Sequence, residues 1–292
     1  MHKTSLHKSV VFIGAGNVAT HLSQAMLNAG FSIQQIFSRT VDNAKSLADI
    51  FGCTYTTDIK KVMPNANVYI FSLKDDALQD VIAEMSANNN TASCMSADNC
   101  PANYRGTTSD GLTNGGLANN KLWIHTAGSV DIEIFRGYAE RYGVIYPMQT
   151  MSKSRETDFS KIPLFVEGCS DSVGNEIYNI ASMLSKNVTL MSSEKRKYLH
   201  LAAVFAGNFS NHMYSLATQI VEEQGIDRHV LQPLIDETAN KLYSMSPEQA
   251  QTGPAIRYDR NIIERHLSML EDENLRKLYT MISKSIHENS GQ

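Results

Sequence analysis

Over its first 190 residues the chain alternates short runs of β-branched and aromatic residues with stretches that have the periodicity of amphipathic helices. This alternation is typical of parallel strands joined by crossover helices. The sequence therefore predicts an α/β fold with a doubly wound sheet. The predicted strands are Ser9–Ile13, Ile33–Ser38, Cys53–Tyr55, Val68–Ser72, Leu122–Thr126, Val144–Tyr146, Leu164–Val166 and Val188–Met191.

The first of these strands leads into a G-x-G-x-x-A motif that also begins a helical pattern. In such a context Gly14 permits the tight turn, Gly16 lets the backbone approach a pyrophosphate, and Ala19 keeps the helix close to the sheet. The N-terminus of the helix presents free N–H groups to the phosphates. The motif therefore predicts a Rossmann-type domain that binds a dinucleotide through Gly14, Gly16, Asn17, Val18 and Ala19.

The end of the second strand indicates which dinucleotide is bound. An acidic residue about 20 positions beyond the motif would hold the ribose 2′-hydroxyl of NAD. This sequence has Arg39 there instead, between Ser38 and Thr40. A guanidinium and two hydroxyls suit a 2′-phosphate, whereas the alternative is an ordinary solvated arginine at a strand end. We therefore predict NADP(H) as the cofactor.

Composition and charge exclude several classes of protein. The chain has 26 Lys and Arg against 30 Asp and Glu, and no basic patch for nucleic acid emerges. Its 4 cysteines form no C-x-x-C pair, so no metal site is predicted. No apolar run reaches the roughly 18 residues of a membrane helix, and the polar N-terminus does not resemble a signal peptide. We expect a cytoplasmic protein with no membrane partner.

After Ser192 only helical periodicity remains. We therefore expect a dinucleotide-binding domain over 1–192 and a smaller, all-helical domain for substrate binding and dimerisation over 193–292. The first helix of the second domain is apolar around most of its circumference from Leu199 to Phe209, which predicts burial on several sides. A second copy of the chain would provide that burial, so we expect a homodimer formed through the C-terminal helices.

Segment 87–120 interrupts the alternation, with 8 Asn, 4 Gly and almost no apolar periodicity. We interpret it as a flexible insertion in the first domain. A lid over a binding site is the alternative, because long loops often carry binding residues.

One face of the long helix after Ser192 carries polar residues. At about 100° per residue, the residues of this face are His200, Val204, Gly207, Asn208, Asn211 and Ser215. Imidazole and amide groups on an otherwise apolar helix need partners, which a ligand, a neighbouring subunit or water would supply. His200 is our first choice of proton donor because imidazole titrates near physiological pH, and His125 and Asn211 are the other predicted catalytic residues.

Polar segments also follow two of the predicted strands, at the sheet edge where doubly wound folds bind ligands. Ser72, Leu73 and Lys74 are predicted to hold the ribose or a phosphate, and Gly128 with Ser129 to offer N–H groups to a substrate carboxylate. Ordinary strand-to-helix turns with N-caps are the alternative interpretation. Asn208 and Arg257 complete the predicted substrate site, although Arg257 would equally pair with Asp259 or Glu264.

Taken together, these motifs resemble the Rossmann-like oxidoreductases of the 6-phosphogluconate dehydrogenase and pyrroline-5-carboxylate reductase superfamily, in the branch with a C-terminal domain of unknown function. The resemblance spans nearly the whole chain and implies an NADP oxidoreductase. It rests on Gly14–Ala19, Ser72–Asp76, His125–Ser129, Tyr146–Gln149, His200–Asn211 and Thr252–Pro254 with Arg257 and Asp259.

The sequence departs from the superfamily at two positions that carry catalytic groups in relatives. Hydroxyacid dehydrogenases of the superfamily have a lysine four residues before the asparagine matched by Asn211, and this chain has Gly207. Relatives often have histidine where Tyr146 precedes Pro147. Their mechanisms therefore do not transfer directly.

The sequence predicts an NADP(H)-dependent oxidoreductase that transfers a hydride to or from a small, carboxylate-bearing substrate. The alternatives are a non-catalytic NADP(H)-binding sensor and a dimeric regulatory protein.

Overall fold

A computed structural model describes residues 8–91 and 121–290 of the chain. It divides into two compact units, Met1–Ser210 and Asn211–Gln292. The division falls inside the helical part of the chain, whereas the change from alternating to helical structure comes at Ser192, immediately before a helix begins.

The first unit contains one sheet of eight strands in the order β3-β2-β1-β4-β5-β6-β7-β8. All eight predicted strands are present, so the predicted fold class is confirmed. Their bounds are Ser9–Ile13 (β1), Ser32–Phe37 (β2), Thr54–Thr56 (β3), Val68–Phe71 (β4), Leu122–His125 (β5), Arg141–Pro147 (β6), Leu164–Gly168 (β7) and Val188–Leu190 (β8).

The strands from β3 to β6 are parallel, but β7 pairs with β6 in antiparallel orientation, with Pro147 opposite Leu164. The connection between β6 and β7 contains only a 3₁₀ turn at Phe159–Lys161. Because this connection does not cross the sheet, β7 begins at the same edge at which β6 ends. The carboxyl ends of β1, β2, β4, β5 and β6 all lie at that edge.

Helices cover both faces of the sheet, as the doubly wound fold requires. Those of the first unit are Asn17–Asn28 (α1), Val41–Phe51 (α2), Asp75–Thr91 (α3), Asp171–Ser182 (α4) and Ser193–Ala203 (α5). Val10 and Phe12 of β1 pack in one core cluster, and Val11 and Ile13 pack in the other, all fully buried. Because β1 is buried on both faces, it is a continuous apolar run rather than an alternating one.

Helix α3 extends to Thr91, so the first residues of the predicted insertion, 87–91, are helical. The high helical propensity of Ala87 and continuation of an established helix outweigh the asparagines that follow. The rest of the predicted insertion lies outside the described residues.

The helical region after β8 differs from the prediction in its first helix. A π-helical turn at Val204–Phe209 separates α5 from Ser210–Glu223 (α6), and the Ser210 hydroxyl donates to the carbonyl oxygen of Phe205, five residues earlier. Since this turn is wider than an α-helical turn, the spacing of about 100° per residue does not hold across it. The prediction of one polar face from His200 to Ser215 rests on this spacing, which the turn interrupts.

The expected burial of Leu199–Phe209 on several sides is not found within one chain. Leu201, Phe205 and Phe209 are each at least half exposed, at 53%, 61% and 50%. Only Leu199 packs against the core of the sheet.

The second unit contains most of α6 together with Gln232–Asn240 (α7), Pro247–Ala250 (α8), Arg260–Met269 (α9) and Glu273–Glu288 (α10). Aspartates at the N-caps of α9 and α10 accept backbone N–H groups of the first turn, which fixes where those helices begin. Among the residues that the structure describes, no helix is long and apolar enough to cross a membrane.

Candidate functional site

The turn between β1 and α1 has the geometry that the G-x-G-x-x-A motif predicts. Gly14 has φ of +120°, and its N–H donates to the carbonyl oxygen of Phe37 at 2.8 Å. A Cβ atom at Gly14 would lie 2.0 Å from the carbonyl oxygen of Ser72. The turn is thus pressed against the ends of β2 and β4, and only glycine fits at its first position.

The N-terminus of α1 is open toward an anion. Gly16 is its N-cap and supplies no capping side chain, and the first turn contains no acidic residue. A Cβ atom at Gly16 would meet nothing within 4 Å, whereas Ala19 is fully buried against the sheet. Asn17 donates its side chain to the carbonyl oxygen of Met151 at 2.8 Å, so its backbone N–H is the group left for a ligand. These uncapped N–H groups and the open space beside Gly16 fit a pyrophosphate.

Ser38, Arg39 and Thr40 lie at the carboxyl end of β2, directly beside this turn. Arg39 and Thr40 are exposed, and Thr40 is the N-cap of α2 without capping it through its side chain. The Thr40 hydroxyl instead accepts a hydrogen bond from the Asn43 amide at 2.7 Å. The structure therefore brings together the two segments that the sequence assigns to the pyrophosphate and the 2′-phosphate.

A pocket of about 830 Å³ extends from the β1–α1 turn across the carboxyl ends of β4, β5 and β6. All of its lining residues belong to the first unit. From the predicted site it contains Gly16, Asn17, Val18, Ser72, Leu73, Lys74, Gly128, His200 and Asn208. Its other polar residues are Asp75, Thr126, Tyr146, Gln149 and Thr150.

Tyr146 and His200 form a hydrogen-bonded pair in this pocket. The Tyr146 hydroxyl and His200 Nδ1 lie 3.0 Å apart, and their rings meet edge to face with centroids 5.8 Å apart. A Cβ atom at Gly128 would lie 2.6 Å from His200 Nδ1 and 2.9 Å from Tyr146 Cε2. Gly128 thus leaves just enough room for both side chains.

Burial raises the pKa of Tyr146, and the positive charge of Arg196 opposes that shift. The tyrosine therefore keeps its proton at neutral pH. It lies at the end of β6, in a pocket whose lining also includes residues from the ends of β4 and β5 and from α5.

A buried ion pair holds α5 beside Tyr146. Arg196 is fully buried and donates to Glu167 Oε2 at 2.8 Å, to the carbonyl oxygen of Val130 at 2.5 Å and to the Ser193 hydroxyl at 3.0 Å. These contacts tie the start of α5 to β7 and to the loop after β5. His200 lies one helical turn beyond Arg196, so the same contacts fix where its imidazole lies.

The structure places His125 beneath the pocket rather than in its lining. His125 is fully buried, and its Nδ1 accepts the N–H of Ala127 at 3.2 Å. Its Nε2 has no hydrogen-bond partner in the described part of the chain. Burial, reinforced by the charge of Arg196, lowers the pKa of His125 to about 3. A neutral, enclosed imidazole is poorly suited to donate protons to a substrate, but it shapes the turn that ends in Gly128.

Three predicted residues remain, Ser129 in the first unit and Asn211 and Arg257 in the second. The Ser129 hydroxyl donates to Asp75 Oδ2. Asn211 and Arg257 belong to the second unit and are both exposed. Asp259, the alternative partner of Arg257, accepts the N–H of Ile262 as the N-cap of α9.

Sequence reasoning did not assign Tyr146 a role, although it singled out the Tyr146–Gln149 motif. The available signal was the motif itself, at the end of a strand beside the predicted substrate turn. Thr126 was also missed, and its hydroxyl donates to the Ser72 hydroxyl at 3.3 Å.

Comparison with protein families gives separate matches for an N-terminal and a C-terminal segment of the chain. Residues 9–98 match the model described as NADP oxidoreductase, coenzyme F420-dependent, and residues 162–286 match a domain of unknown function, DUF2520. A comparison with curated proteins gave no significant match.

Solved structures extend the similarity over nearly all of the chain. A protein from Thermotoga maritima is 22% identical, with a TM-score of 0.69 over 97% of this chain and 100% of that one. An imine reductase from Myxococcus stipitatus in complex with NADP⁺ is 14% identical, with a TM-score of 0.60 over 96% of this chain and 93% of that one. At these identities the likeness shows the fold.

A structure from Bacteroides fragilis, assigned as an NADP oxidoreductase, carries the comparison further. It is 42% identical, with a TM-score of 0.84, and the match covers 97% of this chain and 98% of that one. With this identity over 97% of its length, and with a match to an NADP oxidoreductase domain model over residues 9–98, the chain belongs to this family of NADP oxidoreductases.

Proposed function

We propose that the protein is an NADP(H)-dependent reductase or dehydrogenase, in which a small substrate binds in the pocket at the carboxyl edge of the sheet. The observation that carries this proposal is the Tyr146–His200 pair, 3.0 Å apart, in a pocket that begins at the dinucleotide-binding turn. A hydride-transfer site needs a proton donor next to its nicotinamide site, and we assign both to this pocket.

The residues that would hold NADP(H) are those of the open turn and the neighbouring strand ends. The backbone N–H groups from Gly16 to Val18 would bind the pyrophosphate, and Ser38, Arg39 and Thr40 the 2′-phosphate. Ser72, Leu73 and Lys74 line the pocket next to the turn, where the nicotinamide ribose would lie. When bound, the cofactor supplies or accepts the hydride at the carbon of a C=O or C=N group.

Tyr146 would supply the proton that accompanies the hydride. With a proton on His200 Nδ1, the Tyr146 oxygen accepts that hydrogen bond and its own hydrogen is free for the substrate oxygen or nitrogen. The proton lost by Tyr146 is then replaced from His200 Nδ1, while His200 Nε2 takes up a proton from solvent, since His200 lines the pocket and is partly exposed. His200 keeps its predicted catalytic role in this scheme, and His125 has a positioning role.

A small carboxylate-bearing molecule is the substrate class that we propose. Lys74 provides a positive charge in the pocket lining, and the turn at Gly128 lies beside the proton donor. Oxidation of NADPH in the presence of ketoacids, cyclic imines and their uncharged analogues tests this. The proposal requires oxidation with at least one carboxylate-bearing compound and less with its uncharged analogue, whereas cofactor binding without oxidation across the panel favours a sensor.

Arg39→Ala is expected to weaken NADPH binding by about 1.5–3 kcal/mol, the range for hydrogen bonds to charged groups. NADH binding should change little, because NADH has no 2′-phosphate. Fluorescence titration of the variant and the wild-type protein with each cofactor measures both effects. Equal losses for NADPH and NADH would contradict the assignment of Arg39.

We further propose that the protein is a homodimer formed through its C-terminal helices. Among residues 211–290 only Ala255 and Ser283 are buried, whereas Leu234, Tyr243 and Met281 are 65%, 92% and 71% exposed. A helical unit with so little buried apolar surface needs a further surface to cover it, and closed two-fold dimers are the commonest solution.

The expected result is a dimer mass by light scattering at micromolar concentration. Replacing both Phe205 and Phe209 with aspartate should raise the monomer fraction, because these exposed rings pack on each other at the end of the same apolar stretch. A monomeric wild-type protein at this concentration would contradict the proposal.

A further inference from the structure

A segment after β6 lies across the N-terminal part of α1. Asn17 donates its amide to the carbonyl oxygen of Met151 at 2.8 Å, and His21 Nε2 lies 2.9 Å from the carbonyl oxygen of Ser152. Two side chains of α1, one turn apart, thus hold two consecutive carbonyl groups of this segment. The segment is fixed beside the turn that would bind the pyrophosphate.

The next residue of this segment brings a positive charge to the end of β2. Lys153 Nζ donates to Asn43 Oδ1 at 3.2 Å, and the amide of Asn43 donates to the Thr40 hydroxyl at 2.7 Å. The Lys153 ammonium is therefore linked through one side chain to the Ser38–Thr40 turn, although it is more than a hundred positions away in sequence.

The surroundings of Thr40 suit a phosphate ester. Thr40 leaves the first N–H groups of α2 without a side-chain cap, and Arg39 and Lys153 provide two positive charges against the one carboxylate of the first turn, Asp42. Lysine binds phosphate as a point charge on a flexible stem, so a contact from Lys153 would not need the fixed geometry of an arginine pair.

Building on the proposed function, we infer that Lys153 is a second cationic contact for the 2′-phosphate of NADP(H). Met151–Lys153 would then help to determine cofactor specificity, together with Arg39. The sequence of the G-x-G-x-x-A motif and of the end of β2 does not indicate this role. Lys153 follows β6 and is more than a hundred residues away from both in the chain.

Lys153→Met tests the inference, since methionine keeps the apolar stem and removes the charge. The Kd for NADPH, measured by fluorescence titration, is expected to rise about threefold to tenfold, and the Kd for NADH to stay within about twofold. Lys153→Arg should retain most of the affinity. Lys186→Met is the matched control. Lys186 is also exposed, but it precedes β8, which is the outermost strand on the other side of the sheet from β2 and β3.

The outcomes separate this inference from the proposed function. If Lys153→Met weakens both cofactors equally, or neither, the role of Lys153 is overturned while the reductase proposal stands. If the wild-type protein binds neither cofactor, both are overturned. An equal effect of Lys186→Met on NADPH would also overturn the inference, because it would show a general charge effect.

Discussion

Tyr146→Phe is expected to lower turnover by about 10²–10⁴-fold while the affinity for NADPH stays unchanged. The variant removes only the hydroxyl that lies 3.0 Å from His200 Nδ1. The phenylalanine ring can keep the contact that Tyr146 makes with Phe165, at a centroid distance of 6.4 Å. The loss should therefore be confined to proton transfer.

His200→Ala should reduce turnover as well, and the two effects should not add. If the two residues act as one proton-donating unit, the double variant is little slower than the slower single variant. Steady-state rates with the substrate found in the panel, together with NADPH titrations, measure this. Tyr142→Phe is the matched control, because Tyr142 lies on the same strand and its hydroxyl is 3.4 Å from Glu133 rather than beside His200.

Turnover retained within a few-fold in Tyr146→Phe would contradict the assignment of Tyr146 as proton donor. Turnover retained in His200→Ala but lost in Tyr146→Phe would leave Tyr146 as the donor and remove His200 from the scheme.

Gly16→Ala and Gly14→Ala are expected to fail for different reasons. A Cβ atom at Gly16 meets nothing within 4 Å in the protein and its φ of −83° suits alanine, so the fold should be unaffected. The methyl group would occupy the space where the backbone approaches the pyrophosphate, at a cost of about 1–3 kcal/mol in NADPH affinity.

Gly14→Ala should instead destabilise the protein itself. Its Cβ atom would lie 2.0 Å from the carbonyl oxygen of Ser72, at a φ of +120° that L-residues rarely adopt. We expect a loss of about 3 kcal/mol or more in the free energy of unfolding. Thermal unfolding without cofactor, followed by NADPH titration, separates the two variants. A normal NADPH affinity in Gly16→Ala would contradict the binding mode.

The fold was predictable because its signals are local. Each strand is a short apolar run. The turn from Gly14 to Ala19 needs glycine at its first position, so its sequence is distinctive. Helix α3 extends past Ala87 because an established helix continues through residues of modest propensity, which composition alone does not reveal. The antiparallel pairing of β7 depends on how residues 148–163 return, and no residue type in that connection specifies it.

The candidate site was predictable only in part, because its key contacts join distant residues. Tyr146 and His200 are 54 positions apart and meet only because β6 and α5 end beside one another. The π-helical turn at Val204–Phe209 interrupts the spacing of about 100° per residue on which the predicted polar face depends. The burial of His125, which makes it poorly suited to proton donation, follows from the strands on both sides of β5.

Titration of the purified wild-type protein with NADPH and, in parallel, with NADH is the most direct test that it binds NADP(H). Nicotinamide fluorescence reports binding without any knowledge of the substrate. We expect saturable NADPH binding with a Kd at least about tenfold below that of NADH, since a charged 2′-phosphate contact contributes roughly 1.5 kcal/mol or more. Saturable binding of neither cofactor would contradict it.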